Sequence, residues 1–200
     1  MKSCVIFASG RGSNFDAILA SVASGKCCVE VRGLVCNQPG APILEQALQK
    51  NSHNAFHVLV SKEPSEWLSA CQGVDLVVLA GFMKILPPSF IEALRDPTTG
   101  YSRIVNIHPS LLPAFPGLDA YDQAFRAGVH WSGVSVHLVE AAVDSGPILA
   151  QDVFYCGDCS TVEELKERGL AVEHRLYPKI IDEYLNGKTS WKGGRCVRKN

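Results

Sequence analysis

The sequence predicts an α/β protein of the doubly wound kind, with a mostly parallel central sheet and helices on both faces. Three observations carry this. Short β-branched runs alternate with segments of helical spacing along the first half of the 200-residue chain. The run Val74-Asp75-Leu76-Val77-Val78-Leu79-Ala80 is apolar nearly throughout, as a strand buried on both faces of a parallel sheet must be. A Gly-rich turn, Ser9-Gly10-Arg11-Gly12-Ser13-Asn14, joins the first apolar run to the first helical one.

The elements follow in order. Cys4 to Phe7 reads as a strand, and Asn14 to Ser24 as a helix with Phe15, Ile18, Leu19 and Val22 on one face. Ser13 or Asn14 is its candidate cap. Val29 to Cys36 is a strand, Pro42 to Lys50 a helix with proline in its first turn, and Phe56 to Val60 a strand. Val74 to Ala80 is the expected centre of the sheet. Beyond it, Arg103 to Ile107 is a strand running into Asn106 and His108. Leu111 to Gly117 is a proline-rich loop, and Tyr121 to Ala127 a short helix. Gly133 to Val139 and Ile148 to Phe154 are strands joined by the loop from Glu140 to Pro147. Thr161 to Leu185 is one long helix, with Pro178 as the point for a bend. One domain over residues 1–190 is expected, followed at 191–200 by a polar, basic tail of low order.

Composition narrows the classes. The net charge of −1 gives no general attraction to nucleic acid or membrane, and no segment is long and apolar enough to span a bilayer. The apolar start is broken by Gly10 and Arg11 and reads as a buried strand rather than a leader. Eight cysteines without a framework spacing read as reduced thiols in a reducing, cytoplasmic setting. Cys156 and Cys159 form a single CxxC with no second pair, a poor zinc pattern. Neither metal, nucleic acid nor membrane is expected, and the partners are small molecules.

Three places carry chemistry. In the turn at residues 9–14, glycines allow close backbone approach, and the helix that follows offers unpaired N–H groups to an anion. A tight strand-to-helix turn without a ligand explains the same residues equally well. In Asn106-Ile107-His108-Pro109-Ser110, alternation puts Asn106 and His108 on one face at a strand end, where open α/β sheets have their ligand crevice. An amide and an imidazole there are suited to hold a developing oxyanion and to deliver a proton. Val143-Asp144-Ser145-Gly146-Pro147 brings Asp144 to a turn. It is either a turn cap or a carboxylate that favours the imidazolium of His108 and orients it.

GRGSN, LAGFMKIL, NIHPSLLP followed by FPGLDAYDQAF, GVSVHLV, VDSGPILAQ and VEHRLYP occur in this order. Together they resemble the folate-dependent formyltransferases, and among them the glycinamide ribonucleotide enzymes of purine biosynthesis. The resemblance runs nearly to Trp191. It implies Asn106, His108 and Asp144 as the catalytic trio, with Gly12, Ser13 and Asn14 on the substrate phosphate and Glu173 on the glycine end of that substrate. It implies 10-formyltetrahydrofolate as co-substrate, held by Met83, Lys84, Ile85, Leu86, Val139, Glu140 and Ala141. The alternatives are an amino-sugar or methionyl-tRNA formyltransferase, a formyltetrahydrofolate deformylase, and a non-catalytic nucleotide- or folate-binding module. Three features depart from the family pattern. Residues 61–74 are few, with Lys62 the basic residue at hand; Lys84 stands where arginine is frequent; Leu170 stands where a polar residue is common.

Overall fold

The structure, a computed structural model, describes residues 1–51 and 56–199. Seven strands form one sheet in the order β3-β2-β1-β4-β5-β6-β7. They are β1 (Ser3–Ala8), β2 (Glu30–Cys36), β3 (His57–Val60), β4 (Leu76–Leu79), β5 (Ile104–His108), β6 (Trp131–Leu138) and β7 (Ile148–Tyr155). The pairs from β3 through β5 are parallel, and β6 and β7 are added antiparallel. The sheet is thus mixed, with its parallel part at the centre as expected.

Alternation along β1 sorts its side chains to two faces. Cys4, Ile6 and Ala8 join a core with α1 (Ser13–Ala23), α2 (Pro42–Lys50) and α6 (Val162–Leu185). Val5 and Phe7 join a second core with α3 (Pro64–Ala70) and α4 (Pro88–Ala93). The sequence reading assigned neither α3 nor α4. Each has seven residues or fewer, so neither shows a full apolar period. Trp67 nevertheless anchors the second core, edge-on to Phe82 and Phe90. Cys4 and Cys71 are buried thiols, each pushed up to about 12 by burial. No helix among the described residues is long and apolar enough to cross a membrane.

Helix α6 begins where the sequence places it. The Thr161 side chain accepts the Glu164 N–H at 3.2 Å, and the Glu164 carboxylate accepts the Ser160 N–H at 2.7 Å. Pro178 lies inside it without ending it. The buried Tyr177 hydroxyl lies 2.8 Å from the Leu79 carbonyl and 3.0 Å from that of Val105, which ties α6 to the middle of the sheet.

The chain end differs from the expectation of low order. Thr189–Lys192 and Arg195–Arg198 pair as a hairpin, β8 and β9. Trp191 stacks on Tyr101 at 4.7 Å between centroids, and Arg198 pairs with the buried Glu183. Polar residues hid this hairpin because it docks through one aromatic and one ion pair rather than through alternating apolar positions. Asn200, the last residue of the expected tail, lies outside the described residues.

Two predictions follow from local geometry. Gly12 has φ +83°, and a Cβ there would lie 2.7 Å from Ile43 Cγ1 on α2. Gly12→Ala is expected to destabilise by about 2 kcal/mol, through left-handed strain and overlap together. Ile43→Ala should relieve only the overlap, so urea unfolding of the double variant should show less than the summed losses. Full additivity would contradict the overlap.

Asp182 accepts from Cys28 N–H, Asn186 Nδ2 and Lys188 Nζ at 2.6–2.9 Å. Burial pushes its carboxyl up, but the Lys188 ammonium and the other donors outweigh that and hold it below the usual carboxylate range. A depressed folded value stabilises fully above the unfolded pKa of about 3.9 and ceases to do so as pH falls through the folded value. Asp182→Asn should therefore lose about 1–3 kcal/mol at neutral pH. Urea melts across pH should show its gap to the unsubstituted chain closing in acid; a gap that widens there would contradict the pairing.

Candidate functional site

The sheet order reverses between β1 and β4, so the connections leaving their C-terminal ends diverge and open a crevice. The Gly-rich turn leaves β1, and the segment Gly81–Leu86 leaves β4. Ser9 joins them: its hydroxyl donates to Asn37 Oδ1 and accepts the Met83 N–H at 2.8 Å, while its N–H donates to the Gly81 carbonyl at 3.1 Å.

The turn hands the chain to α1 with Gly12 as N-cap and no side-chain capping bond. An eleven-residue helix with this uncapped start presents N–H groups and a positive dipole end to an anion. Ser13 is half-buried there, and Arg11 is exposed. The Asn14 side chain has a different partner. Its Nδ2 donates to Glu173 Oε2 at 2.6 Å, and the Tyr121 hydroxyl donates to Glu173 Oε1 at 2.7 Å. Glu173, only 6% exposed, is thus brought from α6 to the start of α1. Asn14 and Glu173 are brought together, the Asn14 side chain facing the carboxylate and its backbone N–H left at the helix start.

The trio assembles at the C-terminal end of β5. His108 Nδ1 lies 3.3 Å from Asp144 Oδ2. His108 Nε2 lies 2.8 Å from the Phe115 carbonyl. The ring faces acceptors on both sides, so both nitrogens donate at once only in the imidazolium. Asp144 is no simple turn cap. It sits at φ 50° and accepts the Gly117 N–H at 2.8 Å. Its Oδ1 is 3.5 Å from His137 Nε2. Burial pushes the Asp144 carboxyl up; the bonds from His137 and Gly117 and the field of His108 outweigh this and hold it below the usual range. Asp144 is therefore a carboxylate at neutral pH.

His137 is a site residue that the sequence reading missed. Antiparallel register sets it opposite Asn106, with Ser135 opposite His108. Its Nδ1 is 2.9 Å from the Leu138 carbonyl, and its Nε2 is 3.3 Å from Asn106 Nδ2. With Nδ1–H on the Leu138 carbonyl, Nε2 either accepts one Asn106 hydrogen or, when it too carries a proton, donates to Asp144; in both cases at least one Asn106 hydrogen stays free. Ser135 shapes the loop: its hydroxyl donates to the Ser110 carbonyl at 2.7 Å and accepts from Leu112 N–H and Gln151 Nε2. Alternation in GVSVHLV puts Ser135 and His137 on one face, a signal present in the sequence. Only the pairing register turns it into a contact with Asn106 and His108.

The segment after β4 presents apolar surface. Met83 and Ile85 are largely exposed, while Leu86 is buried in the second core and has only its backbone to offer. Lys84 Nζ donates to the Lys62 carbonyl at 3.0 Å and lies 5.0 Å above the Trp67 ring. The two lysines singled out from the sequence therefore sit side by side, Lys84 as a brace. Before Asp144, Val139 donates its N–H to Ile104 and accepts the Ser102 hydroxyl at its carbonyl. The Glu140 carboxylate is held by Arg95 and by the Ser102 N–H. Ala141 is exposed beside them, and Leu170 is half-buried on α6. Val139 and Glu140 thus shape the wall of this side rather than offering free polar groups.

A cavity of about 630 Å³ lies elsewhere, between α1 and α6, lined by Ala17, Lys26, His174, Pro178, Asp182 and Lys188 among others. It touches none of Asn106, His108 and Asp144. Among the described residues no group of three His, Cys, Asp or Glu is arranged to hold a metal ion.

Residues 2–181 match the formyl transferase family model. The chain is 36% identical over 198 residues to phosphoribosylglycinamide formyltransferase of Bacillus subtilis, covering 92% of this chain and 95% of that one. The crystal structure of glycinamide ribonucleotide transformylase 1 from Symbiobacterium toebii superposes with a TM-score of 0.89 at 35% identity, covering 100% of this chain and 95% of that one. A formyltetrahydrofolate deformylase from Pseudomonas syringae is similar at a TM-score of 0.83 and 25% identity, with all of this chain matched to 66% of that one. Matched by the family model along nine-tenths of its length and by the Bacillus subtilis and Symbiobacterium toebii proteins over nearly all of theirs, this chain is a member of the formyl transferase family, on its phosphoribosylglycinamide formyltransferase branch.

Proposed function

We propose that the chain transfers the formyl group of 10-formyltetrahydrofolate to the primary amine of glycinamide ribonucleotide, a step of purine biosynthesis. The observation that carries this reading is the His108–Asp144 pair beside Asn106, at the crevice end of β5. Membership of the family supports the reaction class, and the uncapped start of α1 supports a phosphorylated acceptor.

The reaction needs a nucleophilic amine, a polarised formyl carbonyl and a leaving folate nitrogen that gains a proton. The amine attacks the formyl carbon, and the carbonyl electrons move to oxygen. Asn106 has one amide hydrogen free for that oxygen. His108 supplies a second donor when its Nε2–H turns from the Phe115 carbonyl to the substrate, which replaces one acceptor by a more negative one. Asp144 stays ionised, orients the ring through Nδ1 and offsets the imidazolium charge. The tetrahedral species collapses as the folate nitrogen leaves with the bonding pair and takes up a proton, while the amine loses one. Gly12, Ser13 and Asn14 hold the phosphate through backbone N–H groups and the Ser13 hydroxyl, and Glu173 holds the glycine end. On the folate side, Met83 and Ile85 offer apolar surface, with the backbone of Lys84, Leu86 and the Val139–Ala141 wall around it.

Turnover with glycinamide ribonucleotide against a panel of other amines, and against water with formate as the product, tests the reading. Glycinamide ribonucleotide is expected to have the highest kcat/KM; a greater value for another acceptor overturns it. His108→Ala should keep native circular dichroism and lose about 10²–10⁴-fold in kcat, the usual contribution of a general acid. A folded variant with nearly undiminished turnover would remove His108 from the mechanism. Ser13→Ala should raise KM for glycinamide ribonucleotide several-fold with little change in kcat, because a phosphate grip holds ground and transition states alike; one neutral hydrogen bond accounts for about 0.5–1.5 kcal/mol. Equal weakening toward an acceptor without phosphate would show that the hydroxyl does not read that group.

A further inference from the structure

We propose that Tyr121 is a positioning residue that sets affinity for the amine substrate by holding the Glu173 carboxylate in place. The proposal rests on the reading of Glu173 as a substrate contact. Tyr121 is the second residue of α5 (Ala120–Arg126) and is buried against α6. Its hydroxyl donates to Glu173 Oε1 at 2.7 Å while Asn14 donates to Oε2 at 2.6 Å, so each carboxylate oxygen is fixed by one donor and the plane of the group is set.

Both donors are neutral. Among the described residues no lysine or arginine is paired with Glu173. A carboxylate has about four lone-pair sites. Two are taken here, and two remain for a cationic or hydroxyl-bearing ligand. Burial, and then the charge of Glu173, push the Tyr121 hydroxyl far above its ordinary value, so it remains a donor throughout the working range.

Helix α6 is shaped for this contact. Gly169 lies in its interior, where glycine is unfavourable, and a Cβ at that position would collide with the Tyr121 hydroxyl and ring. The Tyr121 side chain crosses α6 at the one residue that lacks a side chain. Lys166 pairs with Asp122 at 3.0 Å and holds α5 against that turn of the helix. The same short stretch of chain reaches the catalytic pair, through the Phe115 carbonyl on His108 and the Gly117 N–H on Asp144. A residue that merely stiffened this stretch would act on the reaction rate as well as on binding. A residue that positions Glu173 would act on binding of one substrate alone.

The test is steady-state kinetics of Tyr121→Phe, Glu173→Gln and the double variant, each substrate varied in turn, with thermal melts alongside. Tyr121→Phe is expected to raise KM for the amine substrate by several-fold to about tenfold, the scale of one hydrogen bond to a charged group. Its kcat should stay within about twofold, and KM for the folate should be unchanged. Glu173→Gln should raise the same KM, and the double variant should be no worse than the worse single one. Gly169→Ala, which displaces the hydroxyl without removing it, should shift KM in the same direction. An unchanged amine KM in a folded Tyr121→Phe variant overturns the proposal, as does a fall in kcat matching the rise in KM, or strict additivity with Glu173→Gln. If no amine is turned over by the unsubstituted chain, the functional reading falls and the proposal with it. If one is turned over and Tyr121→Phe leaves its KM unchanged, only the proposal falls.

Discussion

The buried carboxylate of Asp144 is the constraint on which the site depends. It gathers partners from three separate segments: His108 at the end of β5, His137 on β6 and the Gly117 N–H in the proline-rich loop. Each partner alone is modest, and burial by itself disfavours the charge. Together they hold an ionised group in a backbone conformation that most residues avoid. The arrangement needs β6 to run antiparallel to β5, because that register sets His137 across from Asn106. It also needs the loop after His108 folded back onto β6, which the Ser135 hydroxyl does through Ser110 and Leu112.

The two ends of the crevice are built on different principles. At the Glu173 end, position comes from helices: the uncapped start of α1, the long α6 and the short α5 meet through Asn14, Glu173 and Tyr121. At the β4 end, position comes from a loop tethered at Ser9 and at Lys84. Asn106 and His108 stand on β5, where strand hydrogen bonds limit movement, and Asp144 reaches them from the loop between β6 and β7. Polar groups at strand ends with loops at the rim of the crevice are the arrangement expected of a site on an open α/β sheet.

Much of this was legible in the sequence, for physical reasons. The strands of the sheet and the helices α1, α2 and α6 declared themselves through apolar period. Asn106 and His108 stood out because polar residues at a buried strand end have few structural reasons to be there. Helices α3 and α4 escaped because each buries only one or two large side chains. The terminal hairpin escaped because it docks through Trp191 and Arg198 rather than through alternating apolar positions. The roles of His137 and Tyr121 were hidden for a different reason. Their importance lies in contacts across the chain, His137 with Asn106 and Tyr121 with Glu173, and no local period encodes such partners. Gly169 was a visible trace of the second contact, a glycine inside a strong helix, but its meaning required seeing what crosses over it.

The tether of the loop after β4 has a thermodynamic consequence. Met83 and Ile85 project into water from a segment whose backbone is already held by Ser9 and whose Lys84 is already seated on Trp67. A ligand that covers these two side chains removes apolar surface from water without first having to order the chain beneath it. Association on this side should then show a negative heat-capacity change of the size set by the buried apolar area, with little of the additional loss in entropy that accompanies folding on contact.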